Sequence, residues 1–238
     1  MDDLIVIGGG PAGLMAAIQA AKRGLRVSVY EKNKMLGRKL RITGKGRCNI
    51  TNACDFDTLM ENIPGNGKFL FSAFRSFSNL DLMGFFEAAG LPLVTERGNR
   101  VFPKSQKAAD VAVCLKDLCK KWHVAVHYDC PVTGISKDAD TGRVNGIFCG
   151  DMFCSAYNVL IATGGLSYPL TGSTGDGYRW AEGFGHTIVP PAPSLVGLKS
   201  SADWVRDLEG LSLRNIGFSL KKGDKAVSYT HLDVYKRQ

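Results

Sequence analysis

The chain of 238 residues is 45% hydrophobic and 22% charged, with a formal net charge of +8. Such a composition gives a globular protein with enough apolar surface for a core, in one large domain or one and a part. No apolar stretch is long enough to span a bilayer, and Asp2 and Asp3 stand where a signal peptide would be basic, so a cytoplasmic protein without a membrane partner is expected.

Asp3 to Ile7 is a largely apolar run of strand length, and Gly8-Gly9-Gly10-Pro11-Ala12-Gly13 follows it directly. Leu14 to Arg23 reads as a helix that tolerates Pro11 in its first turn. Gly24 closes it, and Leu25 to Tyr30 alternates like a second strand ending at Glu31. Dinucleotide binding requires this layout. Gly8 permits the tight turn, Gly10 lets backbone approach a pyrophosphate, and Gly13 lets helix and strand pack closely. Ala12 stands in the first helical turn, where free N–H groups and a partial positive charge face the phosphates. Glu31 stands where an acid accepts hydrogen bonds from ribose hydroxyls. An acid in place of an arginine disfavours a 2′-phosphate, so FAD or NAD fits better than NADP.

From Gly37 to Asn52 runs GRKLRITGKGRCNITN, with three glycines, five basic residues and no acid. It reads either as a solvated basic loop or as backbone held close to a flat or phosphorylated ligand, with Lys39 and Arg47 as charge partners. Asn79 to Ala89 reads as a helix, and Leu91 to Phe102 as a hairpin turning at Arg97-Gly98-Asn99. Ser105 is expected to cap a helix whose Ala108, Val111, Leu115, Leu118 and Trp122 share one buried face.

Residues 123–163 hold several short strands, with turns at Asp140-Thr141-Gly142 and Gly150-Asp151. They lead into Asn158 to Gly165, a buried strand whose Thr163-Gly164-Gly165 end brings small residues to a ligand at the sheet's carboxyl edge. Gly172 to Gly185 reads as a loop opening a helix at Thr174 or Asp176, a second ligand-facing N-terminus. Pro190-Pro191-Ala192-Pro193 is a stiff connector, and Leu195 to Lys199 and Leu211 to Leu220 read as strands beyond it. There are seven cysteines and no CxxC. Cys114, Cys119, Cys149 and Cys154 read as reduced, buried small hydrophobes, and His123, His127, His186 and His231 do not cluster with them, so no metal site is expected.

The GGGPAG turn followed by GRKLRITGKGRCNITN resembles the HI0933-like family of bacterial flavoproteins, as do Arg100 to Ser105, Ala162 to Gly165 and Gly172 to Gly177. The resemblance covers residues 1 to about 225. It implies an α/β fold: a Rossmann-type FAD-binding domain of the two-dinucleotide-binding-domain flavoprotein kind, at 1–193, with the start of an inserted β-rich domain at 194–227. It implies FAD held by Gly8, Gly10, Ala12 and Gly13 at the pyrophosphate and by Glu31 and Lys32 at the ribose end. It places Lys39, Gly44 and Arg47 in a loop towards the flavin, where positive charge favours the anionic reduced form. By the same resemblance, the strand near Val132 supplies backbone contacts to the adenine, and Thr163 and Gly164 end the return strand beside the nucleotide.

The implied activity is that of an FAD-dependent oxidoreductase, passing hydride from NAD(P)H through FAD to an unsaturated or carbonyl-containing small molecule, steroid-like or bile-acid-like. No second GxGxxG is present, so a nicotinamide would bind without its own Rossmann turn. An FAD-dependent oxidase of small amines or ketones is the alternative enzyme; a flavin-binding protein acting on RNA or a protein partner is the alternative of another class. The net charge suits anionic ligands, but no basic stripe is interleaved with aromatics, so a small-molecule substrate is expected rather than nucleic acid. No catalytic acid or base and no oligomeric state is legible.

Ser228 to Gln238 fits nothing upstream, and Asp233 to Gln238 back-translates to a sequence resembling a transposon end used as a library adapter. These residues, 228–238, read as a non-native tail on a C-terminally truncated chain.

Overall fold

The computed structural model describes residues 1–192, 200–208 and 211–236. The first of its two units is Met1–Val189. It opens with β1 (Leu4–Ile7), α1 (Pro11–Ala21) and β2 (Val27–Tyr30). A 3-10 stretch (Leu40–Gly46), β3 (Thr51–Asn52), α2 (Phe56–Glu61), α3 (Phe71–Ser76) and α4 (Asn79–Ala88) follow. The hairpin is β4 (Leu93–Glu96) and β5 (Arg100–Pro103), and α5 spans Ala108–Lys121. Then come β6 (Ala125–His127), β7 (Val132–Lys137), β8 (Val144–Cys149), β9 (Met152–Ser155), β10 (Val159–Ile161) and α6 (Asp176–Gly183).

The central sheet has the order β10-β1-β2-β6 and every pair in it is parallel. Its strands therefore end on one edge, and Gly8, Glu31 and Ala162 lie just beyond three of those ends. β1 is apolar at every position because both its faces are covered. Val6 points into a core with Leu14 and Ile18 of α1 and Val111 and Leu115 of α5. Ile5 and Ile7 point the other way, into a core with Tyr30, Ile147 and Ala156. The β7-β8-β9 meander thus covers the second face of the sheet. Each fully buried Ile, Leu or Val contributes roughly 1.5–3 kcal/mol.

α4 begins with a reciprocal capping box between Ser78 and Asp81. α5 buries the expected stripe, but Ser105 does not cap it. The N-cap is Lys107, with no side-chain cap. Ser105 is held instead in a tight turn closed by Gln106 N–H on the Pro103 carbonyl at 2.8 Å. All seven cysteines are free; Cys48 and Cys119 are buried, while Cys114, Cys149 and Cys154 are only half-buried.

The second unit, Pro190–Gln238, contains α7 (Trp204–Asp207) and an antiparallel hairpin of β11 (Ser212–Lys222) and β12 (Lys225–Lys236). The expected strand at 195–199 lies outside the described residues. Residues 228–236, expected to belong to a non-native tail, run within β12. No helix among the described residues is long and apolar enough to cross a membrane.

Candidate functional site

At the carboxyl edge of the parallel sheet lies a cavity of about 300 Å³. Its floor is the glycine turn. Gly8 has φ +111°, and a Cβ there would lie 2.5 Å from the Ala162 carbonyl oxygen, so only glycine lets β1 and β10 end side by side. A Cβ on Gly13 would lie 2.1 Å from the Gly8 carbonyl oxygen, so the absence of a side chain is what seats α1 on β1. Gly10 differs: no atom of a residue beyond its own chain neighbours crowds the place its Cβ would occupy. It is the N-cap of α1, where no side chain caps the helix and no acid occupies the first turn. Backbone donors and the positive end of the helix dipole therefore face open space.

Glu31 forms one wall. It is 7% exposed. One carboxylate oxygen accepts from the Gly9 N–H at 2.8 Å; the other accepts from Asn33 N–H at 2.8 Å and Asn33 Nδ2 at 2.6 Å. The acid thus ties the glycine turn to the end of β2. Next to it, Lys32 Nζ lies 2.9 Å from Asp176 Oδ2 and 2.8 Å from Thr174 Oγ1. Partial burial raises the Asp176 carboxyl, yet the hydrogen bonds from Lys32 and Thr174 prevail and hold it below its ordinary value. Asn33 Nδ2 also reaches the Thr171 carbonyl at 3.3 Å. These contacts strap the loop before α6 to the end of β2.

The apolar end is built by Tyr30, Cys130, Val132 and Trp180. Tyr30 stacks on His127 with ring centroids 4.5 Å apart, and burial pushes its phenol well above the usual range. Lys39, Thr163, Gly164 and Ser173 also line the cavity.

Of the residues singled out from the sequence, Gly8, Gly10, Ala12, Glu31, Lys32, Lys39, Val132, Thr163 and Gly164 line this one cavity, with Gly13 packed directly behind it. Gly44 and Arg47 do not line it. Gly44 turns the loop at φ +54°, where a Cβ would meet the Asn49 nitrogen at 2.9 Å. The Arg47 guanidinium lies 4.1 Å from the Phe102 ring centroid and donates to Gln106 and Glu96. That hydrogen bond from Arg47 holds the Glu96 carboxyl below its usual range. Asp176, expected at a second ligand-facing helix start, does line the cavity; Asn33, Arg38 and Ser173 line it too and were not singled out individually, although Arg38 and Ser173 lie in segments read as facing a ligand.

The profile of the HI0933-like protein Rossmann domain matches residues 2–223. The chain belongs to the HI0933-like family. Two relatives illustrate its range. A ribosomal RNA dihydrouridine synthase from Haemophilus influenzae is 31% identical over 212 residues, which are 88% of this chain and 52% of that protein. A 3-dehydro-bile acid delta(4,6)-reductase from Clostridium scindens is 33% identical over 205 residues, 84% of this chain and 48% of that protein. The chain thus spans about half the length of the curated relatives it matches. Among solved structures, the 3-ketosteroid-delta4-(5alpha)-dehydrogenase of Rhodococcus jostii aligns with a TM-score of 0.56 at 21% identity, covering 70% of this chain and 46% of that one. That likeness, with the family model, gives the fold, a Rossmann-type α/β domain. The glycine turn, the uncapped helix start and the buried acid together fit the cavity to a dinucleotide.

Proposed function

We propose that this chain is the FAD-binding domain of a reductase that passes hydride from NAD(P)H through FAD to a carbon–carbon double bond conjugated with a carbonyl. The observation that carries the FAD reading is Gly10: an uncapped helix start whose Cβ position no residue beyond its chain neighbours crowds, beside a buried acid. When bound, FAD supplies the two-electron chemistry, and the chain supplies binding and orientation. The α1 N-terminus donates N–H groups to the pyrophosphate. Glu31, already accepting three hydrogen bonds, has about one acceptor position left for a ribose hydroxyl. Val132 offers backbone to the adenine, and Thr163 and Gly164 flank the middle of the dinucleotide. Gly44 and Arg47 fix the shape of the loop after Lys39. The second unit begins the inserted substrate domain.

The substrate class follows from what the two relatives' named reactions share. Dihydrouridine is uridine with its ring double bond saturated, and that bond is conjugated with a carbonyl. A delta(4,6)-reductase of a 3-oxo steroid saturates double bonds in the same electronic setting. Both need hydride at a carbon made electron-poor by the carbonyl. An RNA-borne uridine is the second reading, favoured by the net charge of +8 and by a further relative of that name in Escherichia coli, 32% identical.

The test uses the protein extended to the length of its relatives. Anaerobic NADPH or NADH should bleach the flavin band, and either a 4-en-3-one steroid or a ribosomal RNA transcript should restore it. Restoration by RNA, steeply weakened by salt, selects the second reading. A flavin bleached by neither nucleotide and reoxidised by neither acceptor contradicts the proposal; rapid bleaching by an amine and recovery with oxygen alone would mark an oxidase.

A further inference from the structure

We propose that Cys130 and Cys149 are a disulfide-forming pair in the wall of the cavity: a small-molecule disulfide reaches Cys130 first, and Cys149 resolves the mixed disulfide. The pairing stands on the β7-β8-β9 meander and does not need the FAD reading. Cys130 lines the cavity, and its N–H donates to the Glu31 carbonyl at 3.0 Å. Two residues on, Val132 of β7 lies opposite Cys149 of β8. The Cys149 thiol reaches back to the Pro131 carbonyl at 3.6 Å and is hydrogen-bonded with the Cys130 thiol. Both cysteines are free and half-buried. Thiols in hydrogen-bond contact are a small side-chain movement from the S–S bond length of about 2 Å.

The two positions differ as the exchange requires. Burial, with the Cys130 thiol beside it, pushes Cys149 up to about 12, so it is a poor first nucleophile. Cys130 faces the space through which a reagent arrives. Its thiolate attacks one sulfur of the small disulfide; the reagent's S–S bond breaks, and one small thiol leaves with the electron pair and takes up a proton. Cys149 then loses its proton and attacks the Cys130 sulfur, expelling the second small thiol. The two cysteines are oxidised, the reagent is reduced to two thiols, and the cysteine protons balance theirs. The second step is favoured because the partners are already in contact, and because a capped Cys130 no longer raises Cys149. Cys154 is committed elsewhere: its thiol is hydrogen-bonded with Tyr30, and its cross-strand partner is Ile147. A group carried on Cys130 projects into the cavity, so the mixed disulfide and a bound ligand exclude one another.

The test treats the full chain with oxidised glutathione, alkylates the remaining thiols and reads the peptides by mass spectrometry. The main product of the wild type should be a linked peptide joining Cys130 to Cys149. Cys149→Ser should stop with glutathione on Cys130, and Cys130→Ser should leave Cys149 modified about tenfold more slowly or not at all. Thermal melting of the reduced variants checks that they fold, with Cys149→Ala as a second choice at the less exposed site. Saturating FAD should slow the wild-type reaction about tenfold. A folded chain without the 130–149 link, a link from Cys149 to Cys154 in its place, or modification of Cys149 at the wild-type rate in Cys130→Ser overturns the proposal. Reaction at an unchanged rate with FAD bound overturns the route through the cavity. If the link forms as expected and the chain takes no FAD, the pair stands and the FAD reading fails.

Discussion

Removing the Glu31 side chain separates its structural role from its role toward a ligand. The carboxylate is 7% exposed and holds the buried Gly9 N–H and two donors of Asn33. Glu31→Ala strands the Gly9 donor inside the protein, a cost of about 1–3 kcal/mol, while the partly exposed Asn33 donors add less by turning to water. A total of about 3 kcal/mol is expected, and with roughly 2–4 °C per kcal/mol for a domain of this size the melting temperature falls by roughly 6–12 °C. The assay is thermal and chemical denaturation of the ligand-free chain, so that no cofactor contributes. Glu31→Gln keeps one acceptor oxygen but turns an amide toward a donor, and should fall between the two. FAD affinity should drop as well, by about tenfold or more, because the last acceptor position is lost. Were the ligand-free alanine variant to melt within about 1 °C of the wild type, the clamp between the glycine turn and β2 would be refuted.

The glycine turn offers a paired test. Gly10→Ala places its Cβ in open space on extended backbone, so melting should be unchanged while FAD affinity falls about tenfold. Gly13→Ala pushes a Cβ to 2.1 Å from the Gly8 carbonyl oxygen and should cost roughly 3 kcal/mol by denaturant titration. The Lys32–Asp176 strap should be acid-sensitive. Because Asp176 ionises more readily in the folded chain, the strap stabilises at neutral pH and weakens as pH falls through that depressed value. The stability gap between wild type and Asp176→Asn should therefore close below the ordinary value of 3.8; a gap independent of pH would count against the strap. Arg47→Ala gives up Glu96, Gln106 and the Phe102 stack together and should lose about 2 kcal/mol in chemical denaturation, with equal stability arguing that the cluster is ornamental.

The parts of the fold legible in the sequence are those where local pattern and tertiary role coincide. The run from Leu4 to Glu31 announced strand, turn, helix and strand because every glycine and apolar position serves both local geometry and packing. The stripe on α5 and the hairpin at Arg97-Gly98-Asn99 were equally plain. Ser105 misled because a serine before an apolar-periodic run fits a turn as well as a cap, and the left-handed Gln106 decides for the turn. Asn33 was illegible as a cavity residue: its relevance comes from loops brought together across 138 residues, as the Asn33–Thr171 contact shows. Arg47 looked like a charge partner for a ligand by composition alone. Its guanidinium meets Glu96 and Gln106, 49 and 59 residues away, and no periodicity announces such a cluster.

The most direct test of the central claim, that this cavity holds the adenosine half of FAD, is a paired titration of the folded chain with FAD and FMN, read by flavin fluorescence. FMN carries the same flavin without the adenosine. The account predicts that FAD binds, that FMN binds at least tenfold more weakly, and that Glu31→Ala narrows the difference, on the order of one lost hydrogen-bond partner. Equal binding of the two flavins, or binding of neither by a cooperatively melting chain, would contradict it.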